Sequence, residues 1–138
     1  MPFSHRLVPR LYDTDRLGVV FFAAYYRFCQ ETLEELFTRI FTVPLEAAIE
    51  QGLWLCPVVH SAADYRHPLR LGQACDVGLQ VRSLSEKSIT YQYTICRMDG
   101  TLCASLQIAH VFCSPQTQRP QAIPPAVLAG LRRFGLLA

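Results

Sequence analysis

Lysine is nearly absent from the 138 residues: Lys87 is the only one, and the other twelve of thirteen basic side chains are Arg. Eleven acidic residues bring the net charge to +2, which excludes the strongly basic face that nucleic-acid binding requires. Charged residues make up only 17% of the chain, against roughly 25% in an average soluble domain. Some apolar surface is therefore expected to survive folding and to be covered by self-association. No stretch approaches the roughly 18 consecutive apolar residues of a membrane span, and no apolar run follows the charges of Met1 to Arg10. Membrane insertion and a leader are not expected, and a cytoplasmic location is. The six cysteines include no C-x-x-C pair and no His at finger spacing, so no metal site is expected. They are read as small buried hydrophobes in a reducing compartment. The phosphate-binding pattern G-x-G-x-x-G is missing too, and with it the case for a dinucleotide fold.

A chain of this size buries about two thirds of its unfolded surface, so it can hold a core without disulfides. No linker or repeat divides it, and one domain is expected over residues 1–138. His5 to Tyr12 alternates weakly and predicts a short strand running into the polar cluster Asp13-Thr14-Asp15-Arg16. From Phe21 to Phe41 the apolar residues recur at steps of three and four, the period of a helix with one buried face. Pro44 stops it. Leu45 to Gln51 predicts a second, short helix closed by Gly52. Beyond it the period becomes two, with strands predicted over Pro57 to Tyr65, Asp76 to Arg82, Ser88 to Cys96 and Leu102 to Phe112. Asp99-Gly100 between the last two is a strong hairpin signal, and Pro124 to Phe134 predicts a helical tail. One long helix against five strands gives an α+β class, with a curved, mainly antiparallel sheet wrapped round the helix.

The densest polar cluster is Tyr12-Asp13-Thr14-Asp15-Arg16-Leu17-Gly18, followed at once by Val19-Val20-Phe21-Phe22. Two carboxylates and a glycine opening a helix admit two readings. An Asp beside free N–H groups at a helix N-terminus suits acyl transfer, one serving as base or nucleophile and the others stabilising an oxyanion. Alternatively, Asp13 or Asp15 only caps the turn.

The pattern Tyr12-x-Asp-Thr-Asp15-x-x-Gly18-Val19-Val20-Phe21, with a long helix and an all-strand second half, resembles the hotdog-fold acyl-CoA thioesterases of the 4-hydroxybenzoyl-CoA thioesterase type. The likeness spans roughly His5 to Cys113. Within that group, Leu55-Cys56-Pro57-Val58-Val59-His60-Ser61-Ala62-Ala63-Asp64-Tyr65 is similar to the cyanobacterial 1,4-dihydroxy-2-naphthoyl-CoA thioesterases, which serve phylloquinone (vitamin K1) synthesis. The resemblance implies hydrolysis of an aromatic acyl-CoA without any cofactor. It places the catalytic carboxylate on Asp15 and the N–H that receives the thioester carbonyl on Phe22. Where relatives carry His or Tyr, Phe22 offers only its amide and an apolar ring.

The resemblance also implies substrate contacts at His60 and at Lys87, the latter toward the CoA phosphates. Phe21, Phe22, Tyr25 and Trp54 are candidate pocket walls, although aromatics at helical spacing are commonly core residues. His60 also has a purely structural reading, Lys87 that of a solvated turn residue, and His67 and His110 are expected to be structural or exposed. The implied assembly is a homodimer joined by continuing the sheet, with the site at the interface, pairing further into a homotetramer. Two alternatives stay open: a broad acyl-CoA or 4-hydroxybenzoyl-CoA thioesterase, and a non-catalytic hotdog module that binds an acyl ligand.

Overall fold

A computed structural model describes residues 3–50 and 54–137. Five strands, β1 (Phe3–Leu7), β2 (Val58–Tyr65), β3 (Cys75–Leu84), β4 (Ser88–Arg97) and β5 (Leu102–Val111), form one sheet in the order β1-β3-β4-β5-β2. Every neighbouring pair is antiparallel. The helix α1 (Ala24–Phe41) lies on the inner face, with α2 (Leu45–Glu50) after it and α3 (Pro125–Arg133) near the end of the chain. The end of the second predicted helix, Gln51 and its closing Gly52, lies outside the described residues.

Period-two patterning becomes a buried face in the central strands. Val77 and Leu79 of β3, Ile89, Tyr91, Tyr93 and Ile95 of β4, and Leu106 and Ile108 of β5 are buried against α1. The helix contributes Tyr25, Phe28, Cys29, Thr32, Leu33, Leu36, Phe37 and Ile40, the three-and-four pattern read from the sequence. Thr42, in the left-handed region at φ 56°, ends α1 two residues before Pro44. Between β4 and β5 the turn follows the Asp99-Gly100 signal, with the Asp99 side chain accepting the Thr101 N–H and Gly100 at φ 90°. Cys29, Cys75, Cys103 and Cys113 are buried, Cys56 and Cys96 partly so, and all six are free thiols. Burial pushes the Cys56 and Cys75 thiols up to about 12, so they pack as small apolar groups.

Two boundaries differ from expectation. The first strand ends at Leu7, and Leu11–Asp13 is a turn of 3-10 helix. Pro9 has no N–H to give to a ladder, which stops the strand before the predicted Tyr12. The long helix begins at Ala24 rather than Phe21, because Phe21 N–H is taken by the Asp13 carbonyl. That bond holds Phe21 to Ala23 in a turn ahead of the helix.

The tail helix crosses α1 at Gly130, where an added Cβ would sit 2.3 Å from Ile40 Cγ2. Overpacking costs about 1–3 kcal/mol, and alanine's better helix propensity returns up to about 1 kcal/mol. Gly130→Ala should therefore lower stability by roughly 1–2 kcal/mol, a fall in Tm of about 3–8 °C. Thermal melting checks this, and an unchanged Tm would show that α3 docks loosely.

Candidate functional site

The loop between Leu11 and Phe22 is fixed from below by Asp13. This carboxylate is 1% exposed and receives Arg27 Nε at 2.8 Å and Nη2 at 2.7 Å. Its Oδ2 also accepts the Arg10 N–H at 2.9 Å. Arg27, one turn inside α1, continues to Glu31 at 3.2 Å, whose other oxygen lies 2.9 Å from His5 Nε2. The first acid of the motif is thus consumed by structure.

The second acid has the opposite setting. Asp15 is exposed, and its Oδ1 accepts the N–H groups of Leu17 at 2.8 Å and Val19 at 3.3 Å. Gly18, at φ 73°, allows the chain to reverse here, a conformation that costs a Cβ-bearing residue. The capping reading is therefore correct for one carboxylate oxygen. Asp15 Oδ2 has no hydrogen-bond partner among the described residues and faces solvent.

Beyond Asp15 the chain bridges onto the β2–β3 connection, with Val20 N–H bonded to the Leu69 carbonyl at 2.8 Å and Leu71 N–H to the Gly18 carbonyl at 2.9 Å. This places Val19, Val20, Phe22 and Tyr25 on one side of an open cleft of about 420 Å³, with Tyr65, Arg66, His67 and Pro68 on the other. The Tyr65 hydroxyl donates to the Phe22 carbonyl at 2.9 Å, and its ring packs on Tyr25 at 5.3 Å. No side chain caps the start of α1, and the Phe22 N–H has no partner among the described residues. Free donors at a helix N-terminus attract an anionic oxygen. Burial pushes the Tyr25 hydroxyl up to about 12 and raises that of Tyr65, so both stay protonated at neutral pH and neither serves as a base.

The sequence-predicted residues separate into two groups. Phe22 and Tyr25 line the cleft, Phe22 contributing a wall and an amide and Tyr25 a buried ring, while Asp15 does not line it and stands next to it through its bond to the Val19 N–H. Phe21 does not line it. His60 and Lys87 lie elsewhere: His60 pairs with Ala109, and the Lys87 carbonyl accepts the Phe112 N–H. Tyr65 at the cleft pairs with Ala104, and the five-residue step from Ala104 to Ala109 spans about 17 Å along the strand. Within one chain, His60 and Lys87 therefore stand at the other end of the sheet from the Asp15 loop. Tyr65, Arg66 and His67 were not singled out as cleft residues, because their role depends on β2 ending beside α1. Among the described residues no group of three or more His, Cys, Asp or Glu could hold a metal, and no helix is long and apolar enough to cross a membrane.

A profile described as the thioesterase-like superfamily matches residues 9–131. The chain is 27% identical to a 1,4-dihydroxy-2-naphthoyl-CoA hydrolase of Picosynechococcus sp., over 96% of this chain and 93% of the relative. It is 29% identical to the hydrolase of the same name from Rippkaea orientalis, over 89% and 90%. In three dimensions it is similar to a 1,4-dihydroxy-2-naphthoyl-CoA thioesterase from Synechocystis, with a TM-score of 0.87 at 24% identity, covering 98% of both chains. A profile match over most of the chain, joined to this sheet order and inner helix, shows that the chain belongs to the thioesterase-like superfamily and has its hotdog fold.

Proposed function

We propose that the protein hydrolyses an aromatic acyl-CoA thioester, with 1,4-dihydroxy-2-naphthoyl-CoA as the leading substrate, yielding 1,4-dihydroxy-2-naphthoate and CoA for phylloquinone synthesis. The observation that carries this reading is the Asp15 carboxylate, anchored through one oxygen and free at the other, beside a cleft that opens onto the unpaired Phe22 N–H. The activity of the two similar cyanobacterial hydrolases supports the choice of acyl group.

In this reading the thioester carbonyl oxygen points at the Phe22 N–H, which takes up negative charge as the carbonyl carbon becomes tetrahedral. Asp15 either removes a proton from an attacking water or attacks the carbon itself, forming an anhydride that water then opens. In both routes the C–S bond breaks and CoA leaves with a proton on sulfur; the acid takes its new oxygen from water on the direct route, and from Asp15 on the covalent route when water opens the anhydride at the Asp15 carboxyl carbon, the water oxygen then staying on Asp15. Neither route calls on a metal or an organic cofactor. A single turnover in ¹⁸O-labelled water that gives unlabelled acid and a labelled Asp15 identifies the covalent route opened at the Asp15 carboxyl carbon.

A second copy completes the site in this reading. The edge strand β2 pairs only with β5, and Val58, Val59 and Tyr65 on it are exposed, as are Leu11, Tyr12, Leu17 and Phe22 of the loop. Antiparallel pairing of two β2 edges about a two-fold axis brings the partner's His60 end beside the Asp15 cleft. Lys87 then stands at the same end, able to meet CoA phosphate, and two such dimers make the tetramer. Free, largely buried thiols suit a reducing compartment such as the cytoplasm.

Asp15→Asn keeps size and the turn acceptor but removes basicity. Its kcat on naphthoyl-CoA should fall at least about a hundredfold with KM largely kept. Retention of more than about a tenth of kcat at normal folding would return Asp15 to a capping role. Asp13→Asn should act on stability first. Breaking a fully buried pair costs about 3–5 kcal/mol; Arg27 is partly solvated, so roughly 2 kcal/mol is expected, read as a shift in urea midpoint. Sedimentation at micromolar concentration should show dimers or tetramers, and a fully active monomer would contradict the shared site.

A further inference from the structure

The Phe22 N–H belongs to a run of three peptide groups, each tied at a different place. The first gives its Phe21 N–H to the Asp13 carbonyl at 3.1 Å. The second bears the Phe22 N–H itself, and its Phe21 carbonyl accepts the Ala24 N–H at 3.0 Å. The third has no backbone donor for its Phe22 carbonyl among the described residues. The Tyr26 N–H, which would close a helical turn on it, goes to the Ala23 carbonyl at 3.2 Å instead. What the Phe22 carbonyl accepts is the Tyr65 hydroxyl at 2.9 Å, from 43 residues further on at the end of β2. Phe22 and Ala23 are the two middle residues of the turn that Ala24 closes. The orientation of the peptide between them, which separates a type I from a type II turn, is set by no backbone bond.

We propose that Tyr65 is a positioning residue for the hydrolysis proposed above: its hydroxyl holds the Phe22 carbonyl so that the neighbouring Phe22 N–H points at the thioester oxygen. The inference rests on the reading of that N–H as the oxyanion donor. Stability alone does not call for the bond. The start of a helix lacks partners for its N–H groups and not for its carbonyls, so Tyr65 is not a cap. Nor does burial force it, since Tyr65 is 45% exposed and its hydroxyl has water within reach. What the bond supplies is a tie across the cleft. Asp13 and Ala24 hold Phe22 from its own stretch of chain, whereas Tyr65 belongs to the opposite wall. Its ring is held in turn against the buried ring of Tyr25 at 5.3 Å. Partial burial raises the Tyr65 hydroxyl, so it remains a donor at neutral pH. An oxyanion donor acts only when aimed at the place where charge develops, and a small error in aim is costly in rate.

Tyr65→Phe removes the O–H and keeps the ring against Tyr25. Losing an oxyanion donor outright costs about 100- to 1,000-fold in kcat, and leaving it misaimed should cost at least about tenfold. With 1,4-dihydroxy-2-naphthoyl-CoA and benzoyl-CoA as substrates, kcat and kcat/KM should fall together by that factor while KM stays within about twofold, the mark of an interaction made only in the transition state. Tyr65→4-aminophenylalanine restores an N–H donor at the hydroxyl position and should return kcat to within about threefold of wild type. A residue that only walls the cleft would instead raise KM in the Phe variant and gain nothing from the amino group. The orientation is also read without turnover. Phe21-Phe22 is the only Phe-Phe pair in the chain, so with ¹³C and ¹⁵N at phenylalanine alone, the carbonyl-to-amide correlation selects the Phe22 N–H. That resonance should be single and sharp in wild type and should split or broaden in Tyr65→Phe. A kcat held within about twofold, a rise in KM with kcat kept, no recovery in the amino variant, or an unmoved, sharp Phe22 resonance would overturn the proposal. If the wild type turns over neither thioester, the hydrolysis reading fails, and the Phe22 resonance still decides whether Tyr65 sets the direction of that N–H.

Discussion

The bidentate contact between Asp13 and Arg27 holds the loop between Leu11 and Phe22 to the helix. Both carboxylate oxygens of Asp13 are engaged by one guanidinium, a geometry with direction as well as charge. Arg27 is itself held on its other side by Glu31, and Glu31 by His5 of β1. A sheet strand, the helix and the loop are thus tied at one place. The Asp13 carbonyl then fixes Phe21, which determines where α1 begins and so leaves the Phe22 N–H outside the helical ladder. Everything chemical at the cleft follows from where that first carboxylate is pinned.

The sheet divides the remaining groups between its two ends. The loop, Tyr65 and His67 occupy one end, while His60, Lys87 and His110 occupy the other, because β2 and β5 run antiparallel in nearly full register. A protein that needed all of them at one centre could not assemble it within a single chain. In the proposed dimer, doubling the sheet through β2 would reverse the partner's strand and bring opposite ends together. The unusually exposed β2 has polar and apolar residues open on both faces, a liability for a lone edge strand and an asset for a paired one.

Much of this was legible in the sequence where a local period decides the outcome. The inner faces of β3, β4 and β5, the buried stripe of α1 and the Asp99-Gly100 turn all follow from spacing. The strand order was not, because β1 pairs with β3 across about seventy residues of intervening chain. The start of α1 was displaced for a similar reason: an apolar run from Phe21 satisfies the helical period, but a hydrogen bond from a residue eight positions earlier overrides it. His110 left a signal that was not taken up. It occupies the inward set with Leu106, Ile108 and Phe112, where an apolar side chain is the rule, and a lone imidazole among them marks a buried polar group in need of a partner.

The two readings of Asp15 turn out not to compete. A carboxylate has two oxygens, and the turn engages only one. Holding Oδ1 with two backbone N–H groups removes the rotational freedom that would otherwise be lost on reaching a reactive geometry. The exposed Oδ2 is then presented with a fixed direction by a loop whose own position Asp13 secures. A capping residue in this setting is at the same time the positioned base that the proposed hydrolysis needs, so the feature that made the motif ambiguous in sequence does not count against that proposal.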